Sequence, residues 1–131
     1  MLKRIASAIA LAALFLAGAA HADPGGPTYH SWQSLGRLAS PISVTNSSAA
    51  TALPVGGLTA EVCNQGTTDA YVTLGTANTI TTSATTGTWI KNGTCSALNL
   101  QPSPGTKYTY IAAITASSTT TLYVEVGNGN W

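Results

Sequence analysis

The chain has 131 residues, and only 7% of them are charged: five Lys+Arg against four Asp+Glu. A surface so poor in charge releases few counterions from a nucleic-acid backbone and holds no polybasic segment toward an anionic membrane, which argues against both as partners. With 44% apolar residues and almost no net charge it is not a disordered composition either.

Lys3 and Arg4 precede an apolar run of 16 positions, Ile5 to Ala20, interrupted only by Ser7 and Gly18. The run closes on Ala20-His21-Ala22, a small-x-small pattern followed by Asp23-Pro24. Positive start, apolar middle and small-residue end predict a cleaved secretory signal over residues 1–22. The run falls short of the roughly 20 residues a membrane span needs; an uncleaved anchor is the alternative. Cleavage after Ala22 leaves 131 − 22 = 109 residues, one domain's worth. In that mature chain Arg37, Lys91 and Lys107 face Asp23, Glu61, Asp69 and Glu125, so the net charge is 3 − 4 = −1.

Residues 23–40 read as an N-terminal arm. DPGGP is a leader that suits neither helix nor central strand. Trp32, Leu35 and Leu38 then recur every three residues, with Ser31 as an N-cap and Pro41 as a stop, which predicts one or two helical turns weakened by Gly36. Tyr29, Trp32, Leu35 and Leu38 make this arm the candidate partner contact. The plainer reading is a tail that covers a sheet edge.

Residues 41–131 carry strand patterns. PISVTN is a short β run and LPVGG a turn. LTAEVCN alternates, with Leu58, Ala60 and Val62 on one face and Thr59, Glu61 and Cys63 on the other. AYVTLG sets Val72 and Leu74 against Tyr71 and Thr73. NTITTSATTGTWIKNG is Thr-rich, anchored by Ile80, Trp89 and Ile90, and CSALNL follows. KYTYIAAIT is apolar on both faces and so belongs in a central position. TTTLYVEVG points Leu122, Val124 and Val126 inward, with Tyr123 and Glu125 outward. These segments amount to about seven or eight short strands with turn signals roughly every ten residues, predicting an all-β antiparallel sandwich of jelly-roll or immunoglobulin-like build. The mature chain has 21 Thr, and this β-branched residue replaces charge on the wet face.

Two cysteines behind an export signal, Cys63 and Cys95, read as one disulfide closing a 33-residue loop. On the chain-entropy model it stabilises by roughly 3–4 kcal/mol. The alternative is a pair of buried free thiols. Two Cys and the mature chain's single His, His30, fall short of a tetrahedral metal site.

The inventory for catalysis is thin, and neither a catalytic residue nor a cofactor is expected. Glu61 and Glu125 become cross-strand neighbours if their strands pair, which superficially resembles a glycosidase dyad; they read more simply as solvated strand carboxylates. A Ser–His–Asp arrangement would have to use His30 in the arm. The chain lacks G-x-S-x-G and phosphate-binding glycine motifs. Tyr71, Trp89 and Tyr123 could serve as a glycan-stacking platform, although Trp89 as core with half-wet tyrosines is the blander expectation.

The stretch from PISVTN to the final GNGN resembles small phage and prophage virion-associated proteins, minor structural or capsid-decoration components. The matching parts are Leu53-Pro54, Val62 to Asn64, Tyr71 to Gly75, Ala112 to Thr115 and Val124 to Gly129, and they cover about residues 41–129. The resemblance implies a compact β-sandwich that touches other subunits, as a homo-oligomer or on a lattice, and carries out no reaction. The signal segment departs from that pattern, because capsid parts assemble in the cytoplasm. Signal and cysteines together point to the periplasm, the extracellular space or a virion surface. The competing expectation is a secreted, monomeric glycan-binding module.

Overall fold

The computed structural model describes residues 33–38 and 41–129. They form nine strands and no helix: β1 (Gln33–Leu38), β2 (Ile42–Val44), β3 (Ala49–Ala52), β4 (Thr59–Asn64), β5 (Ala70–Gly75), β6 (Thr88–Ile90), β7 (Cys95–Asn99), β8 (Tyr110–Thr115) and β9 (Thr120–Asn128). One sheet runs β1-β9-β4-β7, with β2 also on β9; the other runs β3-β8-β5-β6. Every pairing is antiparallel.

The two sheets share one core. Ile42, Val44, Ala60, Val62, Leu122, Val124 and Val126 come from the five-stranded sheet, and Ala70, Val72, Ile90, Ile111 and Ala113 from the other. This is the outcome of strict alternation: each strand turns its odd or even set into the space between the layers. Leu53 and Leu100 close the core from connecting segments. Leu58, expected with Ala60 and Val62, instead lies 49% exposed just before β4 begins.

β9 organises its sheet. One side pairs with β4 from Thr59↔Gly127 to Asn64↔Leu122. The other side is shared, first by β2 (Ile42↔Leu122) and then by β1 (Gln33↔Asn128, Leu38↔Glu125). Pro41, which has no amide hydrogen to give a ladder, stands between these two partners. The helical turn expected around Leu35 and Leu38 is therefore a strand with an irregularity between Ser34 and Leu38. A two-turn helix holding Gly36 is marginal in water, whereas the open edge of β9 satisfies the backbone at once.

The four-stranded sheet carries a third layer. Residues 76–87 leave β5 and cross its outer face. Ile80 fills the space where a Cβ on Gly75 would stand. Thr73 Oγ1 donates to Thr82 Oγ1 at 2.8 Å, and the Thr82 amide donates to Ser48 Oγ at 2.9 Å, just ahead of β3. Ala112, the ladder neighbour of Thr73, is buried beneath this crossing although it is no member of the inter-sheet core. β8 thus has its outer face covered at Ala112, while Ile114 on the same face stays half-buried beside Tyr71.

Candidate functional site

Two of the four arm residues, Tyr29 and Trp32, lie outside the described residues, as do His30 and the signal segment. Leu38 stands opposite Glu125 at the end of β1. The Leu35 side chain is 41% exposed and lies over Gly56, with Cδ1 3.1 Å from where a Cβ would be. Val55, at 80% exposure, and Leu58 flank the same turn. The turn is tight because Gly57 has φ +60° and a side chain there would run into Val126 and the Gly127 backbone. Leu35, Val55 and Leu58 therefore gather as exposed apolar groups at one end of the fold, beside the β1–β9 ladder.

Tyr71, Trp89 and Tyr123 do not form one platform. Tyr71 and Trp89 are direct partners in the β5–β6 ladder and face outward from the four-stranded sheet. Tyr123 faces outward from the other sheet, opposite Cys63. Trp89 is also not the core residue its apolar ring led one to expect: it is 55% exposed, and its neighbour Ile90 takes the core position. The register decides this, because Ile90 pairs with buried Ala70 and the next residue must point the other way.

The exposed indole is nevertheless held in place. Trp89 Nε1 donates to Asp69 Oδ2 at 3.0 Å, and the Asn92 amide donates to Asp69 Oδ1 at 2.9 Å. These bonds, the Asn92 amide first and the indole second, hold the Asp69 carboxyl below its ordinary value of 3.8; nearby Lys91 pulls the same way. Asp69 comes within reach because Ile90 pairs with Ala70, which sets the turn after β6 beside the residue that precedes β5. No motif announces the contact. Its sequence trace is an acid two residues ahead of the tyrosine that pairs with the tryptophan.

Glu61 and Glu125 are cross-strand partners, as the pairing of their strands requires. They lie half-exposed on the outer face of the five-stranded sheet. Clefts of about 290 and 330 Å³ open elsewhere, one beside Leu53 to Gly56 and Lys107 to Tyr110, the other between Leu74, Thr88, Leu98 and Tyr108. Two rungs along, on the same face, is the disulfide: Cys63 and Cys95 are ladder partners of β4 and β7, with Cα atoms 3.9 Å apart and the sulfurs bonded. A Glu61 oxygen and the two sulfurs lie within 4.8 Å of one another. Bonded to each other, those sulfurs lack the thiolate charge that binds a metal.

No protein-family model, curated protein or solved structure matches this chain.

Proposed function

We propose that this protein is a non-catalytic structural or interaction protein, an exported β-sandwich of jelly-roll or immunoglobulin-like build that decorates or joins an extracellular assembly. The observation that carries this reading is the gathering of Leu35, Val55 and Leu58 on the surface around the Gly56–Gly57 turn. Exposed apolar groups in one place mark a contact surface, and a surface short of charge does little to prevent subunits from meeting. The Cys63–Cys95 bond suits an oxidising compartment. The resemblance of residues 41–129 to virion-associated proteins makes a virion surface the leading candidate for the assembly.

The test is the mass of the purified, disulfide-bonded protein by size-exclusion chromatography with light scattering. The native chain is expected to associate, and the triple variant L35S/V55S/L58S to be monomeric with its thermal transition retained. A native chain that stays monomeric at all concentrations overturns the reading. A truncation used for the same purpose should stop before Gln33, because removing β1 would also bare the edge of β9.

A further inference from the structure

We propose that Trp89, Tyr71 and Asp69 form a binding site for a neutral carbohydrate, with a sugar ring stacked on the exposed indole. Trp89 and Tyr71 stand side by side on the outer face of the four-stranded sheet, and Ile114 continues the same row across β8. This row is an apolar shelf. One border is the crossing segment, where Gly87 lies against Tyr71 on one side and the Ser83 carbonyl on another. Ser83, Thr85 and Thr86 bring a cluster of hydroxyls to that border. The other border is Asp69 with Lys91 and Asn92.

Three properties select the ligand class. First, the indole N–H is already committed to Asp69, so the ring offers a plane and no donor. A bare aromatic plane suits the C–H face of a pyranose, which is apolar on one side and hydroxylated around its rim. Second, the ring is locked before any ligand arrives. Binding therefore costs little side-chain ordering, the condition under which an exposed aromatic acts as an anchor. Third, the charges beside the shelf balance: Asp69 is held ionised and Lys91 is its neighbour. The match is to a neutral ligand rich in hydroxyls. Each Asp69 oxygen also keeps a second lone pair to accept from a sugar hydroxyl.

The site does not depend on the assembly proposed above. Val55 and Leu58 lead into β4, whereas Asp69 and Asn92 lie past its far end, so association through one surface leaves the other open.

The experiment uses the disulfide-bonded protein on a printed array of neutral glycans, followed by calorimetric titration with the captured oligosaccharide. Trp89→Ala is expected to weaken binding about tenfold or more, and Tyr71→Ala by a smaller factor. Asp69→Ala frees the indole and is expected to weaken binding while leaving the ring present. Circular dichroism and the thermal transition of each variant confirm that it is folded. Trp89→Phe, which keeps a ring at the position, should retain part of the affinity. Capture of no neutral glycan overturns the proposal, as does affinity unchanged in a folded Trp89→Ala protein. Self-association in the absence of sugar that Trp89→Ala abolishes would likewise overturn it and assign the shelf to a second copy of the chain.

Discussion

Asn64 and Thr120 are joined by a buried hydrogen bond, Thr120 Oγ1 donating to the Asn64 side-chain oxygen at 2.7 Å. The same oxygen accepts from the Gly66 amide at 3.2 Å, and Asn64 Nδ2 donates to the Thr68 and Ile90 carbonyls at 2.9 and 3.1 Å. One amide therefore ties β4 to the start of β9, to the loop after β4 and to β6 of the opposite sheet. Asn64→Ala leaves several of these groups buried and unsatisfied, and is expected to cost about 2–4 kcal/mol in urea unfolding. A cost under about 0.5 kcal/mol, within the range of surface substitutions, would contradict this account.

Ile80 of the third layer packs directly over Gly75. Gly75→Ala should destabilise by about 1–3 kcal/mol, since the added methyl meets the Ile80 side chain. Ile80→Ala should make the same Gly75→Ala change cheaper. A double-mutant cycle measures this directly; additive costs would place Ile80 off the sheet.

The cross-strand disulfide secures β7, an edge strand, to β4. Replacing Cys63 and Cys95 together by Ser is expected to lower stability by roughly 3–4 kcal/mol through the freed unfolded chain. Hydrogen exchange should rise first in residues 95–99. Chemical unfolding of the native protein with and without reductant should reproduce the difference.

Glu61 and Glu125 set like charges directly across a ladder. Glu125→Gln should stabilise the protein by about 0.5 kcal/mol, since like charges directly opposite destabilise a pair of strands. The gain should shrink in high salt, because the groups are half-exposed and screened. Thermal transitions at low and high ionic strength give the comparison.

Asp69 makes the Trp89 lock pH-dependent. Its folded carboxyl lies below the ordinary value of 3.8, so the stability it lends is present above that value and is lost as pH falls through the folded one. Acidification should release the indole and shift Trp89 fluorescence in a protein carrying W32F and W131F. The shift should disappear in Asp69→Ala, in which the indole is already free at neutral pH.

Much of the fold was legible because alternation is a direct record of burial. TAEVCN, AYVTLG and TLYVEV each show which residues face the core, and the doubly apolar KYTYIAAIT marks the central strand whose outer face is covered at Ala112. β3 was not legible: AATA has weak β preference and is a strand because β8 offers it an edge. β1 was misread for a related reason, since a three-residue recurrence cannot reveal a waiting ladder partner. The candidate site was legible only as a list of aromatics. Which of them share a face depends on register between distant segments, and that separates Tyr123 from Tyr71 and Trp89.

β9, the last of the described strands, is the one its sheet is built around. β1 and β2 find their ladder partner in β9, and β4 has only β7 beside it until residues 120–128 exist. Without that strand β1 and β2 have no ladder partner, whereas β3, β5, β6 and β8 form their sheet independently of it. The five-stranded sheet is therefore completed only once residues 120–128 have joined segments far from them in sequence, the kind of long-range pairing that slows folding.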